Sequence, residues 1–116
     1  MEPRSPKLLE DIRDAGSFIL DVTASRTLDE YLGDRLVRQA VERNFEIVGE
    51  ALSRLGKADP VTSSAIADVR RIVAFRNVLV HGYDTLDHEI VWHVIRNDLP
   101  RLLESVQALL DPSRRD

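Results

Sequence analysis

Residues 76–83 read Arg-Asn-Val-Leu-Val-His-Gly-Tyr, the one stretch of this 116-residue chain where a permanent cation, an amide, an imidazole and a phenol crowd together. Arginine offers a planar fork that matches phosphate oxygens. Histidine exchanges protons near neutrality, its unperturbed pKa being about 6.5. Arg76 and His81 together suit attack of an RNA 2′-hydroxyl on its own adjacent phosphate. The imidazole takes or returns a proton, and the guanidinium stabilises charge building on the phosphate oxygens. A structural reading competes. His81 in a last helical turn before Gly82 offsets the helix dipole, Arg76 can pair with Glu50 or Asp84, and the Tyr83 phenol can close the end of a helical bundle. Spacing alone leaves both readings open.

The elements that must carry these residues are helices. Ser5-Pro6 reads as a start, Ser5 as cap and Pro6 at the first position. Leu9, Ile12, Gly16, Ile19 and Val22 then form one stripe. Thr27 and Glu30 make a capping box for a short turn over Leu28 to Leu32, broken at Gly33-Asp34. A second long helix is predicted from about Arg35 to Leu55, with Gly56 as its C′ residue. Its apolar stripe (Val37, Val41, Phe45, Val48, Leu52, Leu55) has a neighbour (Leu36, Ala40, Ile47, Ala51), a width that implies a central helix or one that also packs across a dimer. Asp59-Pro60 and Thr62-Ser63-Ser64 form a loop and cap for a third helix, with Ile66, Val69, Ile72 or Val73, and Val80 on its apolar face and an end near His81-Gly82. Asp87 caps the fourth, whose face is Val91, Val94, Ile95, Leu99, Leu102, Val106 and Leu109, kinked by Pro100. The expectation is an all-α, antiparallel, up-and-down four-helix bundle with a short extra helical turn and a kinked last helix. Residues 1–110 form one domain and residues 111–116 a flexible tail.

Composition narrows the chemistry. There is no cysteine, so thiolate nucleophiles and Cys-ligated zinc are excluded. His88 and His93 stand five apart, not the four that a zinc-protease helix needs, so no metal site is expected there. Trp92 reads as a core or interface anchor, and His88 and His93 as helix-surface or interface residues. No glycine-rich phosphate loop occurs, and no cofactor is expected. Lys and Arg number 16 against 20 Asp and Glu, a net charge of −4 that argues against broad nucleic-acid binding and against DNA. A local cationic cleft remains compatible with it, since residues 68–83 hold Arg70, Arg71 and Arg76 against Asp68 alone. No charged-then-apolar leader opens the sequence and no apolar run approaches a membrane span, so the expected setting is cytoplasmic, away from membranes.

Arg76, four intervening residues, His81 and then Tyr83 resemble the Arg-x4-His-x-Tyr motif of HepT-like toxins of the HEPN superfamily. Gly49-Glu50-Ala51, Ile90-Val91-Trp92 and Asp98-Leu99-Pro100 extend the resemblance over essentially the whole chain. The resemblance implies a metal-independent endoribonuclease toxin, acting as a homodimer whose two motifs face one cleft, on RNA such as transfer RNA. It implies an MntA-type nucleotidyltransferase antitoxin as partner, which transfers AMP to the motif tyrosine. Carried over by position, Arg76 and His81 are catalytic, Tyr83 is the AMPylation target, and Asn77 is a supporting residue. Glu50, between Gly49 and Ala51 on a mostly apolar helix, is read here as a second support that holds Arg76. The rival is a non-catalytic helical module that docks on a nucleotidyltransferase and helps hold nucleotide or substrate.

Overall fold

The computed structural model describes residues 1–81 and 86–111, except for the side chains of Val80 and His81. The capping signals act early. Thr27 and Glu30 form the reciprocal box, with Glu30 N donating to Thr27 Oγ1 at 3.2 Å and Thr27 N donating to Glu30 Oε1 at 2.9 Å. This starts α2 (Leu28–Leu32), and Asp34, accepting from Val37 N, starts α3 (Arg35–Ala58). The chain is an all-α bundle built on α1 (Ser5–Thr23), α3, α5 (Val69–His81) and a last helical segment. α3 packs against both α1 and α5, and α1 packs against α7 (Leu99–Leu110). The short α4 (Pro60–Ser64) precedes α5, and α6 (His88–His93) begins the last segment. No helix among the described residues is long and apolar enough to cross a membrane.

Several boundaries differ from the sequence expectation, each for a local reason. Gly56 does not end its helix: α3 runs on to Ala58, and no described glycine has a positive φ. The stop is Asp59, with φ −147° and ψ 73°, because the ring of Pro60 disfavours helical geometry in the residue before it. Ser5 is not a cap either. It is buried in the first turn of α1 and donates its hydroxyl to Asp59 Oδ2 at 2.7 Å. Asp59 also accepts from the Thr62 hydroxyl (2.6 Å), Thr62 N (3.1 Å) and Glu2 N (3.0 Å), so one carboxylate ties the chain start to the α3–α4 junction. These donors, led by the Thr62 hydroxyl, hold its pKa far below the usual carboxylate range. Thr62 to Ser64 therefore lie within a helical turn capped by Asp59, not in a loop capping α5.

The last segment keeps the predicted apolar face, all seven residues being buried. Its irregularity is a π-helical turn over Val94–Asp98, where Leu99 N donates to Val94 O, five residues back. Pro100 lacks an N–H and its ring crowds the carbonyl four residues earlier, and the wider turn accommodates both. On α5 the buried stripe is Ile72, Phe75 and Leu79; Val69 and Val73 are only partly buried, and Val80 lies outside the described side chains. The second stripe of α3 is only half used: Ala51 is buried and Ile47 partly so, but Leu36 is 81% exposed. Tyr31, fully buried, joins α2 to α6 through its hydroxyl, 2.9 Å from His88 Nδ1, and through Trp92, with ring centroids 5.3 Å apart. Trp92 also lies under the Arg96 guanidinium, 4.2 Å from ring to Cζ. His88 is thus a half-buried packing residue, and His93 an exposed one.

Candidate active site

α5 is held on α3 by an edge-to-face pair, Phe75 against Phe45, at 5.1 Å between centroids and 90° between planes. One residue on, Arg76 crosses α3 where the latter has Gly49. A Cβ at Gly49 would overlap Cβ and Cγ of Arg76 and lie 3.3 Å from its Cδ. The glycine is therefore the gap through which the arginine stem passes, and packing immobilises that stem before any polar contact is made.

The guanidinium emerges between two oxygens. Arg76 Nη2 donates to Glu50 Oε2 at 3.1 Å, and Nη1 to Asn77 Oδ1 at 3.2 Å. Its Nε is buried without a hydrogen-bond partner. Glu50 is shared, since its Oε1 accepts from Arg54 Nε at 2.9 Å one helical turn along α3. That hydrogen bond, followed by the charges of Arg54 and Arg76, holds the Glu50 carboxyl below the usual glutamate range. The surrounding cleft has a volume of about 270 Å³ and includes Arg43, Arg54 and Arg76 against Asp11, Glu46 and Glu50. Among the described lining residues, three cations face three carboxylates, so their formal charges balance.

This alters the picture of a basic stretch. Arg76 meets Glu50, and Arg71 Nη1 lies 3.4 Å from the buried Asp98. The carboxylates come from distant positions that a local charge count does not register. Of the sequence candidates, the structure brings Arg76, Asn77 and Glu50 together. His81 is the last residue of α5, its side chain outside the described set; Tyr83 and Asp84 lie outside the described residues altogether, as do 112–116 of the expected tail. Sequence reasoning missed Arg54, although its spacing of four from Glu50 was a usable signal. It also missed the clearance role of Gly49. Among the described residues, no group of three or more His, Asp or Glu side chains is placed to hold a metal ion.

A family described as ribonuclease HepT-like matches residues 9–109. A protein of Thermococcus cleftensis named "Probable ribonuclease HepT" is 30% identical over 87% of this chain and 91% of its own length. A protein of Methanocaldococcus jannaschii named as a candidate RNase is 28% identical over 89% of this chain and 81% of its own length. Another from Caldanaerobacter subterraneus, also named as a candidate RNase, is 26% identical over 91% of this chain and 94% of its own. No solved structure matches the chain.

Proposed function

The chain belongs to the HepT-like ribonuclease family, and on that footing we propose that it is a metal-independent endoribonuclease toxin, active as a homodimer and silenced by AMP transfer to Tyr83. The observation that carries the reading is the Gly49–Arg76 crossing: a guanidinium with an immobilised stem, oriented by Glu50 and Asn77, on the helix that ends at His81. A fixed cation that need not reorganise during reaction stabilises developing charge best.

In the proposed reaction, His81 removes the proton of a ribose 2′-hydroxyl. The oxygen attacks the adjacent phosphorus, the bond to the 5′-oxygen breaks, and a proton returns to that leaving group. A 2′,3′-cyclic phosphate results. Arg76 meets the charge on the non-bridging oxygens. Five positions on an α-helix turn by roughly 500°, or 140° net, so positions 76 and 81 of one helix diverge in direction. Two copies facing one cleft would offer two guanidinium groups and two imidazoles, one as base and one as acid. AMP on Tyr83, supplied by an MntA-type nucleotidyltransferase, would set a phosphate and a bulky nucleotide beside Arg76 and obstruct RNA by charge and volume.

The balanced charge of the cleft's described lining residues favours a second reading, a non-catalytic module that docks on the nucleotidyltransferase, because a neutral groove attracts RNA weakly. Purified protein in excess EDTA separates the two. The toxin reading expects RNA cleavage that falls by about 10²–10³-fold in Arg76→Ala, the usual cost of removing such a charge stabiliser. His81→Ala should fall at least as far. Equal cleavage by wild type and both variants identifies a contaminating nuclease and defeats the reading. Co-expression with the nucleotidyltransferase adds a mass test: AMP increments on Tyr83 support the toxin, and an unmodified stable complex supports the module.

A further inference from the structure

The most anomalous group outside the cleft is Asp98. It occupies a core position of the last segment, in register with Val91, Val94, Ile95 and Leu102, and is 1% exposed. Its Oδ1 accepts from Arg101 Nη2 at 3.2 Å and lies 3.4 Å from Arg71 Nη1, while Oδ2 is buried without a hydrogen-bond partner. Burying a carboxylate costs several kcal/mol even after relaxation, and an apolar side chain would satisfy the same stripe. Packing therefore gives no reason for the acid.

Its partners suggest one. Arg71 is in the first turn of α5, five residues before Arg76. Arg101 Nη2 also lies 2.9 Å from Asp68 Oδ2, and Asp68, with φ 62°, is the left-handed residue at the entry to α5. Beside it, Ala67 N donates to Ser105 Oγ at 3.2 Å. These polar links join the start of α5 to the π turn and α7, whereas the middle of α5 rests on α3.

We propose that Asp98 is a positioning residue: through Arg71 and Arg101 it sets the entry and axial rotation of α5, so that Arg76 arrives over Gly49 with its head against Glu50. A helix transmits rotation along its length. Side chains stand roughly 5–6 Å from its axis, so a 20° turn displaces a guanidinium by about 2 Å. A misplacement near 1 Å can cost about 10²-fold in rate. Asp98 acts on the reaction only through α5, and this role rests on the nuclease reading above.

The test uses full-length protein, Asp98→Asn, Arg71→Gln and the double variant, with Tyr31→Phe as a control for loss of a buried polar contact elsewhere. Cleavage of an oligoribonucleotide gives kcat and KM, and amide hydrogen exchange compares residues 69–76 with α1. The expected result for Asp98→Asn is a fall in kcat of about tenfold or more, KM within about twofold, and faster exchange confined to 69–76. Arg71→Gln should move the same quantities less, and the double variant should be no worse than Asp98→Asn, because one link is broken in both. Tyr31→Phe should leave kcat and exchange at 69–76 unchanged. A folded Asp98→Asn protein with wild-type kcat and exchange, or one that loses only melting temperature, overturns the proposal. Should Asp98→Asn fail to fold, Arg71→Gln decides alone, since its side chain is 62% exposed: wild-type kcat and exchange then overturn the role. If the wild type cleaves no RNA, the nuclease reading falls while hydrogen exchange still judges the anchor.

Discussion

Among the described residues, two helix crossings depend on a glycine, and they are built for different purposes. At Gly16, α1 meets α7, and an added Cβ would come to 2.6 Å from a δ-carbon of Leu103. At Gly49, α3 meets α5, and the atoms in the way are Cβ and Cγ of Arg76. The first crossing joins two apolar faces, and the group that must yield is the end of a flexible leucine. The second brings a charged residue through the interface, and the group that must yield is fixed to the α5 backbone. One crossing makes a core; the other delivers a guanidinium to an edge of the bundle at a set angle.

The sharpest contrast to test is Gly49→Ala against Gly16→Ala. Gly49→Ala must push α5 away from α3, a typical overpacking cost of about 1–3 kcal/mol, and should displace Arg76 and abolish most cleavage. Gly16→Ala should be close to neutral, since Leu103 can turn aside and alanine gains up to about 1 kcal/mol of helix propensity. Thermal melts and cleavage rates of the two variants check this, and equal effects at both positions would dissolve the contrast. A smaller effect is expected from Glu50→Gln. Losing the charged partner should loosen the Arg76 head and lower kcat by about tenfold, or 1.4 kcal/mol. KM should fall slightly, because the cleft loses a negative charge that opposes phosphate. A rise in kcat would show that Glu50 restrains Arg76 instead of aiming it.

The smallest effect concerns pH and lies away from both crossings. Burial lowers the His88 pKa, with Glu42 and Asp87 pulling it up and Arg38 down. The folded protein therefore favours neutral His88. Its contribution is fully present above the unfolded pKa of about 6.5 and is lost as pH falls through the lower folded value. Melting temperature should decline modestly between pH 7 and pH 5, solvent screening keeping the change small. His88→Gln should flatten that part of the profile, and an unchanged slope would assign it to other groups.

These contrasts also explain what the sequence made legible. The last segment repeats apolar residues over many turns, so its buried face was readable through the π turn. The capping box at Thr27 and Glu30 involves residues three apart and was equally plain. Gly56 misled because glycine after a stripe normally signals a helix end, whereas the steric demand of Pro60 acts on Asp59. The second stripe of α3 was visible, but Leu36 shows that an apolar spacing does not say which face a neighbour covers. Around the candidate site, Arg76, Asn77 and Glu50 could be picked by type. The balanced charge of the cleft's described lining residues could not, because it depends on which helix faces which. Asp98 had a signal of its own, a carboxylate on an apolar stripe, whose partners at 71 and 101 emerge only once the helices are assembled.

The central claim is that Arg76 and His81 break RNA through its own 2′-hydroxyl. Its most direct test is the chemistry of the cut ends, measured on an oligoribonucleotide in excess EDTA with and without a single 2′-deoxy substitution at the cleaved position. The account predicts 2′,3′-cyclic phosphate ends, no cleavage at the 2′-deoxy position, and loss of the product with Arg76→Ala. Ends bearing a 3′-hydroxyl, undiminished cleavage of the 2′-deoxy substrate, or cleavage that appears only when a divalent cation is restored would contradict it.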